Sequence, residues 1–226
     1  MDSRRFGRTS LTLPSLDGPG SYLSNVTTLA TGRGSVEDFQ YTGERIRDLD
    51  LTGTRLITGR ITDLQADRVL LQQTQLHSVE IRDCELGTLR CVESKLNRVH
   101  FRDCKLLGAA FEETTLDNVL FENCRLDYAT FTKVRAIGPV VFSNCMLAEA
   151  EFTGSDLTET VLTGCTLRQA GFGPGVYRDS DLRGCDLSTV RGAGNLKRVI
   201  ISPLQESELA QALISGLDLT VTDDPQ

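Results

Sequence analysis

Residues 101–121, FRDCKLLGAAFEETTLDNVLF, place Phe101, Leu106, Phe111, Leu116 and Phe121 five residues apart. Carried backwards, the same step reaches Leu96, Cys91, Leu86, Ile81, Leu76, Leu71, Ala66, Ile61, Leu56, Leu51, Ile46 and Tyr41. Carried forwards, it reaches Leu126, Phe131 and Ala136. One extra residue near Ile137-Gly138-Pro139 shifts the frame. It resumes at Phe142 and runs through Leu147, Phe152, Leu157, Leu162, Leu167, Phe172, Tyr177, Leu182 and Leu187. All thirty positions are apolar in a chain that is only 39% apolar. A step of five is neither the 3.6 of a helix nor the 2 of a strand. It requires the chain to turn after every five residues and to point one large side chain inward each time. Two residues before each of these sits a smaller inward candidate, as at Val79, Cys84, Ser94, Val99, Cys104 and Ala109.

A longer period counts the sides. Phe101, Phe121 and Phe142 recur about every twenty residues, and so do Phe111, Phe131, Phe152 and Phe172, while Leu fills the steps between them. Phenylalanine therefore occupies alternate sides only, which requires four sides per coil and like residues stacked on like. Stacked coils sit one strand spacing apart, so the repeats make a rod about 36 Å long at ~4.8 Å per coil. Each coil buries its core only against its neighbours, and both ends need covers.

The stretches AAFEETTLDNVLFENCRLDYATF (109–131) and AEFTGSDLTETVLTGCTLRQAGF (150–172) carry a small-polar-Leu/Phe-polar-polar pattern that resembles the pentapeptide repeat proteins. The resemblance spans about residues 41–190 and implies an all-β solenoid, a right-handed quadrilateral β-helix. The division expected along the chain is an N-terminal arm or cap over 1–38, partly disordered, then the β-helix over 39–190. A C-terminal cap helix and dimerisation segment follows over 191–226.

Six cysteines, Cys84, Cys104, Cys124, Cys145, Cys165 and Cys185, take the small inward slot on one side, one per coil. Parallel Cβ vectors one coil apart stay near ~4.8 Å, too far for the ~3.8 Å of a disulfide. A line of thiols also lacks the tetrahedral convergence zinc demands. They are expected to be core side chains filling a tight slot, as is Cys91 on another side. Asp63, Asp83 and Asp103, continued by Asn123 and Asn144, form an outward row with Arg82 and Arg102 beside it. This reads as a solvated, charge-compensated corner rather than a calcium site.

Catalysis needs convergent acid, base and nucleophile. The two histidines, His77 and His100, fall on outward positions of different sides with no repeated carboxylate partner. The glycine-rich pieces 171–179 and 191–195 lack the lysine and the strand–loop–helix order of a phosphate loop. The expectation is a non-enzyme with no cofactor and no metal. The Arg4-Arg5 pair has no apolar stretch after it and does not make an export signal, and no apolar run approaches the length of a membrane span. A cytoplasmic location follows, and seven reduced thiols suit it.

The net charge of −7 is unevenly spread: residues 1–40 sum to zero, 41–136 to −1 and 137–226 to −6. No basic stripe of a nucleic-acid binder is present. After residue 190 the five-residue step ends. Ser202, Pro203 and Gln205 have the spacing of a helix start and capping box, and Gly216 is a suitable stop. Leu204, Leu209, Ala212 and Leu213 share one broad face, and Leu217, Leu219 and Val221 alternate beyond it as a short strand would. This segment is expected to cover the last coil and, through Leu204, Leu209, Leu213 and Leu217, to join two copies.

The resemblance also implies a function. Members of the family that protect DNA gyrase share this layout, a β-helix with a C-terminal helix joining two rods. They mimic duplex DNA in the enzyme's DNA-binding saddle and relieve quinolones or natural poisons. This chain, free of long loops, is similar to the loop-free type. Two copies joined at their C-termini would bring the −6 region to the middle of the assembly. Glu149, Glu151, Asp156, Glu159, Asp179, Asp181 and Asp186 are then its outward acids and the candidate surface for gyrase or a related type II topoisomerase. The alternative is a protein–protein scaffold or regulator with another partner.

Overall fold

The computed structural model describes residues 2–18, 22–30, 32–217 and 219. Its body is a parallel β-solenoid. Leu76 pairs in register with Leu56 and Leu96, and Leu96 with Leu116, so each coil takes twenty residues. Phe121 pairs with Phe142 and Phe131 with Phe152, where the coil takes twenty-one. The extra residue is accommodated at Gly138, where a Cβ would stand 2.0 Å from the Asp117 carboxylate. That carboxylate also accepts hydrogen bonds from Asn97 and Asn118.

Four faces surround the core. The first and second share one sheet, built from strands such as Arg55–Thr62, Gln75–Arg82, Lys95–Arg102 and Thr115–Glu122. The third and fourth share another, from Arg45–Asp50 through Gln65–Gln72 and Glu85–Val92 to Gly171–Phe172. Corners place non-glycine residues in the left-handed region: φ is 55° at Asp63, 56° at Asp83, 53° at Asp103 and 54° at Asn123. Aspartate and asparagine tolerate this conformation better than other side chains, and that is why they stack there. Arg82 pairs with Asp83 and Arg102 with Asp103, while Asn123 donates to Asp103.

The phenylalanines form two columns on opposite faces. Phe101, Phe121 and Phe142 stack with centroids 4.8–4.9 Å apart and planes within 6°. Phe111, Phe131, Phe152 and Phe172 do likewise at 4.9–5.3 Å. Between the columns the rings meet edge to face, as for Phe111 and Phe121 at 83°. Offset or edge contacts of this kind are the favoured aromatic arrangements.

All seven cysteines are free and buried. Each member of the row also has a hydrogen-bonding role. The thiols of Cys104, Cys145 and Cys165 lie 3.3 Å from the carbonyls of Ile81, Phe121 and Phe142, one coil back. On the first face the same role belongs to hydroxyls, Thr74 to Leu51 at 2.8 Å and Ser94 to Leu71 at 2.8 Å. The small inward slot is a donor position on these two faces, filled by sulfur on one and oxygen on the other. Burial pushes the Cys91 thiol up to about 11.

The five-residue frame extends further toward the N-terminus than Tyr41. Val36 is buried and pairs in register with Leu56, within the strand Ser35–Thr42. Ser24–Asn25 adds to that strand, and Val26 and Leu29 cover the open edge of the first coil. Strand β1 (Asp2–Phe6) and strand β2 (Thr9–Leu13) form an antiparallel hairpin. Its apolar side, with Leu11, Leu13 and Phe6, packs against Leu120, Val141 and Val161 of the second face.

The far end is closed by helix α1 (Gln205–Ser215). Gln205 is buried; its amide nitrogen donates to the carbonyls of Leu182 at 2.8 Å and Cys185 at 2.7 Å, while its oxygen accepts from the Ser202 N–H at 2.8 Å. One leg of the expected capping box is therefore present, the glutamine reaching back to the Ser202 backbone. The other differs from expectation, because the Ser202 hydroxyl turns to the same glutamine oxygen. Since Gln205 takes the inward position, the helical period brings Leu209 and Ala212 onto the last coil. It turns Leu204 into solvent at 85% exposure. Of the strand expected over Leu217, Leu219 and Val221, Val221 lies outside the described residues; Leu217 is in a turn and Leu219 in no regular element.

Candidate interaction surfaces

The outward positions of the coils carry most of the rod's charged side chains. The seven acids named from the sequence lie on all four faces. Glu151 pairs in register with Thr130 and Gly171 on the fourth. Asp156 bridges Arg135 and Val176 on the first, with Glu159 and Asp179 at the corner that follows. Asp181 bridges Val161 on the second, and Glu149 and Asp186 belong to the third.

These acids differ in how free their charge is. Asp181 is largely buried, held by the Arg183 guanidinium at 2.9 and 2.6 Å and by the Arg183 N–H. The Arg183 hydrogen bond holds its carboxyl below the usual range. Glu151 pairs with Arg191, and Asp179 lies 3.5 Å from Arg178. Glu149, Asp156, Glu159 and Asp186 are exposed and have no ion-pair partner among the described residues. Asp156 accepts from Thr158, and Asp186 from Ser188, whose hydrogen bond lowers its carboxyl. Elsewhere the rod's charges compensate between neighbouring coils, as in Lys105 with Glu85 at 3.1 Å and Lys133 with Glu113 at 2.7 Å.

The four leucines named for dimerisation also separate. Leu209 is partly buried against the core and belongs to the lid. Leu204, Leu213 and Leu217 are exposed, and Ile214 and Leu219 join them.

The two histidines, outward on different faces, have different surroundings. His77 is partly exposed and sits against the Arg98 guanidinium, with burial the main reason its imidazole is held below the ordinary value. His100 is only 4% exposed, because the N-terminal hairpin lies over it, and its Nε2 lies 3.0 Å from the Glu122 carboxylate. Its carboxylate partner, Glu122, comes from the next coil and is a single group rather than a repeated row. The sequence did hold a signal for the hairpin's seat. Leu120, Val141 and Val161 are apolar at three successive outward positions of one face, where polar residues are the rule.

Among the described residues no cluster of three or more His, Cys, Asp or Glu has the geometry to hold a metal. No helix among them is long and apolar enough to cross a membrane.

Two family models match the chain, a pentapeptide repeat region over residues 74–152 and pentapeptide repeats in eight copies over 140–172. A comparison with curated protein sequences gives no match. Among solved structures, a trypsin-treated variant of QnrB1, described as a plasmid-mediated fluoroquinolone resistance protein, superposes with a TM-score of 0.51 at 20% identity. The match covers 84% of this chain and 90% of that one. Full-length QnrB1 gives 0.42 at 18% identity, covering 84% and 94%. HetL from Nostoc sp. strain PCC 7120, described as involved in heterocyst differentiation regulation, gives 0.28 at 13%, covering 76% and 89%. With a four-faced coil of twenty residues and inward Phe and Leu at every fifth position, residues 74–172 carry the pentapeptide repeats that the two family models match.

Proposed function

We propose that this protein binds DNA gyrase or a related type II topoisomerase and shields it from quinolones or natural-product poisons. The observation that carries the reading is the rod itself: an uninterrupted four-faced solenoid, with no long loop between coils, that shares its fold with QnrB1. A rod of stacked coils offers a DNA-binding groove a surface of regular repeat. Its exposed acids near the C-terminal end, Glu149, Asp156, Glu159 and Asp186, would draw it toward a basic groove. Glu151, Asp179 and Asp181, being paired with arginines, contribute less charge to that attraction.

Two copies meet, in this reading, through the exposed Leu204, Leu213, Ile214 and Leu217 of α1 and the turns on either side of it. The dimer then carries the unpaired acids near its centre. Light scattering on the purified chain should give twice the monomer mass, and Leu213→Glu with Leu217→Glu should halve it.

The deciding experiment is a gyrase supercoiling and cleavage assay with and without a fluoroquinolone. Dose-dependent inhibition of supercoiling, or relief of drug-stabilised cleavage, is expected. A chain with Glu149, Asp156, Glu159 and Asp186 all changed to Ser should fold and lose the effect. The compensated ion pairs over most of the rod favour a second reading, a scaffold for another protein. No effect at tens of micromolar by a folded dimer would leave that reading standing and refute the first.

A further inference from the structure

The N-terminal hairpin is fastened differently from every other strand of the molecule. β1 and β2 form a sheet of their own and enter no ladder with a described strand of the solenoid. An isolated two-stranded hairpin is marginal in water, so what holds it ordered is its seat. The apolar part of that seat is Leu120, Val141 and Val161, which point outward from three successive coils. The polar part consists of a few side-chain contacts. Arg4 donates to Glu122 at 2.7 Å, and the Thr12 N–H to the Asn118 side chain at 2.8 Å. Asp17, beyond the hairpin, accepts from Arg60 at 2.8 Å.

The segment runs along the rod across the coil strands. Gly7 at its turn stands beside Asp181 and Arg183, Arg4 lies at Glu122, and Asp17 reaches Arg60 far down the same face. It is a strap over the second face.

Under the strap lies a buried titratable group. His100 occupies the outward position that Leu120 fills one coil later. The charged groups facing it are Glu122 and Glu80 from the adjoining coils and Arg4 from the strap. Both carboxylates already have cationic partners, Glu122 in Arg4 and Glu80 in Arg60. A proton added to His100 would therefore place a third cation in a closed site whose two anions are already paired.

We propose that residues 2–17 are a releasable strap, latched by the Arg4–Glu122–His100 chain, and that acid releases it by protonating His100. The direction follows from linkage. With the strap in place, burial holds the imidazole below its ordinary value and Arg4 pushes the same way, against the opposing pull of Glu122 and Glu80. With the strap gone, His100 meets water and Glu122 loses Arg4, so the imidazole binds its proton more readily. Strap docking is at full strength above the ordinary histidine value of about 6.5 and weakens as pH falls below it. The strap's own carboxylate, Asp17, is held low by its hydrogen bond to Arg60 and gives way only in stronger acid. When the strap leaves, the Leu120–Val141–Val161 stripe is bared.

The chain has no tryptophan, so Phe6→Trp installs a single reporter where the strap meets its seat. At about pH 7.5 its emission should be that of a buried indole, and at about pH 5.5 it should shift to that of a solvated one, with the far-ultraviolet circular dichroism of the rod unchanged. The same reporter combined with His100→Gln should stay buried at both pH values, because glutamine can donate to Glu122 and cannot titrate. His100→Leu, matching the Leu120 environment, serves if the glutamine does not fold. Amide exchange over residues 2–13 of the unaltered chain, corrected for intrinsic rates, gives a check independent of the reporter: protection should fall at the lower pH. Equal burial and protection at both pH values, or the same shift in the His100 variants, would overturn the proposal.

Discussion

Phe121, like Phe131, meets four other aromatic rings. It is fully buried, stacks on Phe101 at 4.9 Å and on Phe142 at 4.8 Å, and meets Phe111 and Phe131 edge to face at 5.8 and 6.4 Å. Replacement by Ala opens a cavity that neighbouring coils cannot close, because their spacing is set by backbone hydrogen bonds. Core Phe→Ala changes cost about 3–5 kcal/mol. Two stacked partners, each contributing roughly 0.5–1.5 kcal/mol beyond burial, put this site at the top of that range, about 5 kcal/mol. Phe121→Leu is a different case. Leu162 holds the equivalent position two coils further on, pairing with Phe142 as Phe142 pairs with Phe121, so leucine fits the backbone there and only the stacking and part of the volume are lost, about 1–2 kcal/mol. Urea unfolding followed by circular dichroism measures both. A repeat array need not unfold in one step, so amide exchange in Lys95–Arg102, Thr115–Glu122 and Val140–Ser143 should localise the damage to the flanking coils. Equal losses for the two variants, or less than about 1 kcal/mol for the alanine, would refute the idea that ring stacking and volume at this position hold the coils together.

Further consequences are open to measurement. A thiol reagent should modify none of the seven cysteines in native buffer and all seven in guanidinium, since all are buried. Cys104→Ser should be nearly neutral because a hydroxyl can still donate to the Ile81 carbonyl. Cys104→Val, of similar bulk but without a donor, should cost about 1 kcal/mol in urea unfolding. Gln205→Leu would leave the Cys185 carbonyl without its donor and the Leu182 carbonyl with only the long bond from the Cys185 N–H at 3.3 Å, and a loss of about 1–3 kcal/mol should appear as fraying of α1 in amide exchange. Asp17 and Asp181 are both held below the ordinary carboxylate value by arginines. Their stabilisation is complete above about pH 4 and disappears only as pH falls through the lowered values. Any loss of hairpin protection between about pH 6.5 and 5 therefore has to be assigned elsewhere, and His100→Gln should abolish it.

The architecture was written into the sequence because a solenoid is a local code. Each five-residue step of large and small inward side chains reports its own turn, and the recurrence of Phe on alternate steps counts the faces. The inserted residue near Gly138 was visible as a break in that step. What the step cannot report is anything outside it. The aspartate–asparagine row at the corners was legible as a charged edge, but its left-handed backbone was not. The cysteine row was legible as a slot, but the donation of each thiol to a carbonyl one coil back required the coils to be stacked.

The ends and the outward surface were decided by tertiary structure. At helix α1 a sequence pattern of leucines suggested which residues face inward, yet Gln205 took that place, its amide donating to the Leu182 and Cys185 carbonyls of the last coil, and Leu204 was turned out. Asp181 and Glu151 look like free acids in the sequence, and lose that freedom to Arg183 and Arg191, which the coil places beside them. His100, Leu120, Val141 and Val161 sit at positions the repeat marks as exposed. They are buried only because residues 2–13, far away along the chain and outside the five-residue step, fold over them. A repeating sequence determines the neighbours that recur at its own period; contacts between segments that do not share the period arise only once the rod exists to hold them.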